Sequence, residues 1–335
     1  MYLINVCTTE LERFDADVPP YAILSHRWRE GEVSFSEFQR HLQRSKRPGF
    51  AKIRCSCAQA RRDGLRYVWV DTCCIDKSSS AELSEAINSM YQWYRRAKVC
   101  YAYLDDVLAL HDTNHPLAKS EWFKRGWTLQ ELIAPEMLWF FCNLDRSRNT
   151  WDILGHRNQL ADLVARVTCI PETVFLCEFQ LQEFTVLEKM SWAAKRRTTR
   201  DEDAAYCLMG LFDVNMPLLY GEGSKAFLRL QEEIVKNTDD DTIFAWREPR
   251  SNRAYGELRG IFAPSPASFV SPLQAGRISS MAPNNHLEIT SRGLRTNTTV
   301  SPTWEMLKDM GVQELDKSYL LLPPKLLQGG GHTGE

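Results

Sequence analysis

The stretch FKRGWTLQELIAP, Phe123 to Pro135, sets an indole and a carboxylate four residues apart, Trp127 and Glu131, in what its pattern predicts as a helix. Side chains at i and i+4 share one helical face. A ring could then stack on Trp127 while Glu131 meets a positive centre on the same substrate. Other reactive groups cluster behind short apolar runs. Ser25, His26, Arg27 and Trp28 follow YAIL; Asp71, Thr72, Cys73, Cys74, Ile75 and Asp76 follow YVWV; Trp122 and Arg125 lie just ahead of Trp127. Arg27 offers a cation for phosphate, Asp71 and Asp76 offer carboxylates for sugar hydroxyls, and Trp28, Trp122 and Trp127 offer faces for a ring. With Ser25 and Cys73 beside them, this mix suits a nucleotide. Singly, each has an ordinary explanation: the tryptophans pack, Asp71 caps or holds a turn, His26 is a satisfied polar residue, and Glu131 is solvated. Only their joint placement favours a site.

Joint placement depends on the elements that carry them. Four continuous apolar runs, YAILS (21–25), YVWVD (67–71), VCYAYL (99–104) and MLWFF (137–141), have the length and composition of strands buried on both faces. Helical patterns separate them. Ser79 with Glu82 three residues on reads as a capping box. Leu83, Ile87, Met90, Tyr91 and Tyr94 then form an apolar stripe. Residues 50–63 and 122–134 also suit helices. Strands alternating with helices predict an α/β domain with a parallel sheet over 1–150. In such sheets ligands bind beyond the carboxyl ends of the strands, which is where all three clusters fall.

After residue 150 the pattern turns helical. DEDAAYCLMGLF starts with Asp201 as its expected N-cap, and GEGSKAFLRLQEEIV buries Ala226, Phe227, Leu230 and Ile234. From 247 to 335 short strand-like runs such as LEITS alternate with Pro, Ser and Gly, and GGGHTGE reads as a linker or tail.

The composition excludes several classes. Of 335 residues 44% are hydrophobic, enough for a sizeable core, and 41 basic against 43 acidic residues leave a net charge of −2. No nucleic acid or anionic membrane is expected as partner. No window reaches the ~18 apolar residues of a membrane span, and the N-terminus lacks the pattern of a signal peptide. A cytoplasmic protein with its ten cysteines reduced is therefore expected. No CxxC pair occurs and the seven histidines do not sit at ligand spacing, so no metal is expected. GEGSK lacks the phosphate-loop spacing and reads as the start of a helix. GxSxG, HExxH and GxGxxG after the first strand are missing.

The motifs YAILSHRW, YVWVDTCCIDK, WFKRGWTLQELIAP, RRTTRDEDAAYCLMGLFDVNMPLLYGEGSKAFLRLQEEI and DDTIFAW, in this order over 1–246, resemble the fungal heterokaryon-incompatibility (HET) domain family. Two departures are Lys77, where the family often has Gln, and Cys74 after a second cysteine. HET domains in turn resemble TIR domains, and GWTLQEL is similar to the TIR segment whose glutamate is catalytic in enzymes that cleave NAD. The resemblance implies a flavodoxin-like core over 1–150, a helical part over 151–246 and a C-terminal extension over 247–335. It implies a cell-death effector in which Glu131 is catalytic, NAD or a related nucleotide is the substrate rather than a cofactor, and the chain assembles into a homo-oligomer or meets an incompatibility partner. A non-enzymatic self-associating module, and a nucleotide transferase or cyclase, stay open beside it.

Overall fold

The computed structural model describes residues 1–108, 116–145, 150–176, 180–247, 260–269, 287–290 and 293–296. Four strands come where the apolar runs predict them: β3 (Tyr21–His26), β4 (Tyr67–Val70), β5 (Val99–Leu108) and β6 (Leu138–Asp145). They pair in parallel in the order β4-β3-β5-β6. The chain leaves β3 to form β4 on one side and crosses over to β5 on the other, so the strand order reverses at β3. In open α/β sheets the binding crevice lies at such a reversal.

The sheet is mixed rather than wholly parallel. β1 (Tyr2–Asn5) pairs antiparallel with β4 and with β2 (Glu10–Arg13), while β7 (Thr150–His156) pairs antiparallel with β6. The full order is β2-β1-β4-β3-β5-β6-β7. The expected boundary at 150 therefore falls inside the sheet. β2, with the sequence ELER, and β7 are half-exposed edges, and continuous apolarity cannot reveal such strands. A separate hairpin pairs Leu287–Thr290 with Gly293–Thr296, on the LEIT run. The terminal GGGHTGE lies outside the described residues.

Helices cover both faces. Trp69 packs edge-on against Trp93 and Tyr94 of the helix Ser80–Arg96, with ring centroids 5.5 and 6.0 Å apart. Tyr101 points the opposite way, since it pairs with Leu24 while Trp69 pairs with Ile23. Its hydroxyl donates to Asp63 at the end of the helix Phe50–Arg62 (2.5 Å). Ser79 caps the helix Ser80–Arg96 through its hydroxyl, which accepts from the Glu82 amide at 3.3 Å. The reciprocal half of the box is absent, because the Glu82 carboxylate accepts from the Asp76 amide instead (2.9 Å).

The later region folds back onto this core. Residues 196–198 run beside 124–126, with the Gly126 amide donating to the Arg197 carbonyl (2.8 Å) and the Arg197 amide to Lys124 (2.7 Å). A Cβ on Gly126 would lie 2.5 Å from Thr198 Cγ2, so only glycine permits this approach. The expected cap, Asp201, is displaced by Glu202, the residue that precedes the helix Asp203–Tyr206. Its carboxylate makes no cap bond. It accepts from the amides of Gly221 (2.8 Å) and Gly223 (3.0 Å), two glycines at positive φ (106° and 60°). GEGSK is thus filled by the chain's own carboxylate ahead of the helix Lys225–Asn237. Ala226, Phe227, Leu230 and Ile234 are buried, as their spacing predicts.

Candidate functional site

The segment 122–134 is not one continuous helix. A 3-10 turn, Glu121–Lys124, leads through Arg125 and Gly126 to a short α-helix, Thr128–Ile133, which Trp127 precedes as N-cap. Thr128 fixes the corner, its hydroxyl donating to the carbonyls of Trp122 (2.5 Å) and Arg125 (3.0 Å). Arg157, 1% exposed, secures the other end. Its guanidinium donates to the carbonyls of Leu132 (2.8 Å), Pro135 (2.9 Å) and Glu136 (3.3 Å). Helix ends leave carbonyls without intrahelical partners, and here one buried cation serves them. No sequence signal marks Arg157, since it arrives from the far end of β7.

This clamp holds Glu131 inside the molecule, only 5% exposed. Ser25, near the carboxyl end of β3, donates to Glu131 Oε2, and Trp122 Nε1 donates to Ser25 Oγ at 2.9 Å. Trp122 is wholly buried, so it orients Ser25 and cannot offer a face to a ligand. The Tyr94 phenol, which donates to the Leu24 carbonyl (3.2 Å), lies beside Glu131. Burial raises the affinity of Glu131 for its proton and the Asp71 charge adds to the effect, while the Ser25 hydrogen bond, Arg125 and Arg196 oppose it. The outcome is pushed up to about 8.

Asp71 stands between this pocket and the surface. One oxygen accepts from Trp28 Nε1 (2.7 Å) and the other lies 3.5 Å from His26 Nε2. Burial raises the Asp71 pKa. His26 is buried and neither ring nitrogen finds a hydrogen-bond partner among the described residues, so it is not the satisfied residue its type suggested. Burial, then Lys52, Arg125 and Lys77, keep the imidazole neutral. Arg125 is the cation common to His26, Asp71 and Glu131. It stood in the same sequence block as Trp127 without any spacing to single it out.

The remaining residues divide. Trp28 is 44% exposed, with Lys77 Nζ 3.7 Å from its ring centroid. Arg27 ion-pairs with Asp106 (2.9 Å) and approaches Asp105 (4.0 Å). Asp76 holds a turn, accepting from the Ser78 amide (3.0 Å) and hydroxyl (2.6 Å). Cys73 is fully buried, and burial raises its thiol pKa, so it is no nucleophile. Trp127 is half-buried and lies close enough to Asp203 to act on its carboxyl. Arg196 closes the pocket from the later region, donating to the Arg125 carbonyl and the Thr128 hydroxyl, both at 3.0 Å. An open cavity of about 310 Å³, lined in part by Trp28, Thr72, Ile75 and Lys77, lies alongside. Among the described residues no group of His, Cys, Asp and Glu is arranged to hold a metal, and no helix is long and apolar enough to cross a membrane.

The structure thus gathers Ser25, Trp122 and Asp71 about the buried carboxyl of Glu131 and leaves Trp28, Asp76 and Lys77 at a neighbouring opening. Residues 21–114 match the family Heterokaryon incompatibility protein (HET), and residues 225–257 match a Domain of unknown function (DUF8212). The chain is 49% identical over 248 residues to the Vegetative incompatibility protein HET-E-1 of Podospora anserina. That alignment covers 70% of this chain and 18% of the relative, so the chain spans less than a fifth of the length of the curated protein it matches. No solved structure matches it. The domain match, over the strands that deliver Ser25 and Asp71, and the 49% identical relative show that the chain carries a heterokaryon-incompatibility (HET) domain.

Proposed function

We propose that this chain is the cell-death effector part of an incompatibility system and that it hydrolyses NAD through Glu131 when self-assembled. The observation that carries the reading is a buried carboxyl, pushed to about 8, fixed by Ser25 beside the reversal point of the sheet. The order β4-β3-β5-β6 of the parallel strands also supports a flavodoxin-like, TIR-like core. Buried carboxyls with displaced pKa values cluster at functional sites.

In this reaction the bond between the ribose C1′ and the pyridinium nitrogen breaks, and its electron pair leaves with neutral nicotinamide. A general acid is not needed. The ionised Glu131 holds the ribose and stabilises the positive charge that develops on it. Water then adds to C1′ and gives up a proton, leaving ADP-ribose. The positive pyridinium of the bound substrate favours the ionised carboxylate that burial disfavours.

The depth of Glu131 supports a second reading, an interaction module that performs no chemistry. One assay separates them: nicotinamide release from NAD over a range of protein concentrations, beside Glu131→Ala. Release that grows faster than protein concentration and vanishes in a folded Glu131→Ala protein supports the hydrolase. Equal release from both folded proteins refutes Glu131 as the catalytic group, and no release at any concentration leaves the interaction module.

A further inference from the structure

The open cavity of about 310 Å³ is separate from the Glu131 pocket, yet the two share a wall. Trp28 lines the cavity, and its indole nitrogen is tied to Asp71, whose charge acts on Glu131. Val33, Phe35 and Ile75 add apolar surface, and the carboxylates there are engaged elsewhere, Glu32 with Lys52 and Asp76 with Ser78. Among the lining residues, the Thr72 hydroxyl and the second oxygen of Glu32 have no hydrogen-bond partner among the described residues. Thr72 is 3% exposed, and its hydroxyl has no hydrogen-bond partner among the described residues. Buried hydroxyls are normally satisfied, so this one points to an absent ligand or water. The cation at this opening is Lys77. Its ammonium rests over the Trp28 ring at 3.7 Å, and the Asp71 charge acts on it without forming an ion pair among the described residues. Arg27, the cation expected to meet phosphate, is already taken by Asp106 at 2.9 Å.

We infer that this cavity binds a nucleoside phosphate, with the base against the Trp28 wall and the phosphate on Lys77. This rests on the reading of NAD as substrate, of which it names the half distal to the bond that breaks. Size supports the division. A volume near 310 Å³ is at the lower end of small-molecule sites, roughly 300–1,000 Å³, and suits one nucleotide half rather than a dinucleotide. The other half must then pass the Trp28–Asp71 wall toward Glu131. The indole is exposed but its edge is pinned by Asp71, so it is a preformed stacking surface that loses little freedom on binding. Lys77 supplies a point charge for phosphate oxygens without having to break an ion pair first.

The test is calorimetric titration of the intact chain with AMP and with adenosine, in parallel with Lys77→Met, which keeps most of the stem and removes the charge. AMP affinity is expected to fall roughly tenfold or more in Lys77→Met. Adenosine affinity stays unchanged, and Lys77→Arg retains AMP. Failure of the parent chain to bind AMP, or equal AMP binding by Lys77→Met in its folded state, overturns the inference. The catalytic reading fails separately. Lys77-dependent AMP binding without NAD turnover sinks the hydrolase alone, whereas turnover with a KM for NAD indifferent to Lys77→Met sinks the Lys77 site alone.

Discussion

Replacing Glu131 by Gln isolates the cost of burying an acid. In the folded chain Glu131 keeps its proton up to about pH 8, against an ordinary value of 4.5. The unfolded chain releases that proton near pH 4.5, so between these limits the folded state binds more protons and stability falls as pH rises. Each tenfold in proton affinity corresponds to about 1.4 kcal/mol, so the loss accumulated by pH 8 is on the order of 5 kcal/mol. Gln has nearly the same shape, accepts the Ser25 hydrogen bond through its carbonyl, and never ionises. Glu131→Gln should match the parent near pH 5 and exceed it increasingly toward pH 8, by several kcal/mol. The assay is urea unfolding of both proteins at half-unit pH steps from 5 to 8.5, with the difference in unfolding free energy plotted against pH. Other titrating groups largely cancel in that difference. A flat difference, or a Gln protein weaker than the parent at pH 8, would refute the argument that burial dominates at Glu131.

Three further outcomes follow from the same geometry. Ser25→Ala removes the link between Trp122 and Glu131 and strands a buried indole N–H, so urea titration should show a loss of about 1–3 kcal/mol. NAD cleavage, once detected, should have a kcat/KM that rises with pH to a plateau above about 8, because the ionised carboxylate is the working form; Ser25→Ala should move that midpoint upward, since the Ser25 hydrogen bond opposes the rise. Gly210→Ala would drive a Cβ to 2.1 Å from Tyr91 Cβ on the helix Ser80–Arg96, and a loss of about 3 kcal/mol or more in thermal or urea unfolding is expected.

The parallel core was legible because burial on both faces leaves a continuous apolar run. YAIL, YVWV, VCYAYL and LWFF became β3 to β6 with only their ends shifted. The edges were not, since strands with one wet face, such as ELER, carry too little apolar signal at four residues. Glu131, Ser25 and Asp71 were legible as one edge because strand ends fix them. Their manner of contact was not. Trp122 looked like a ligand platform and is a buried donor. Arg27 looked like a phosphate cation and is half of an ion pair. The positioning cations Arg157 and Arg196 come from segments that only the fold brings near, as no local spacing encodes contacts 25 or 68 residues apart.

Glu202 gives the closing consequence. Its own backbone amide, then the amides of Gly221 and Gly223, hold its pKa below the ordinary carboxylate value, the reverse of the effect on Glu131. The clasp contributes stability above the unfolded value and loses it only as pH falls through the lowered folded value. Glu131 changes charge near pH 8, several decades away in proton concentration. A change of pH through about 8 can therefore reset the charge at Glu131 while the Glu202 clasp ahead of the helix Lys225–Asn237 stays fastened. One carboxyl behaves as the adjustable part of the molecule and the other as its fixed mounting.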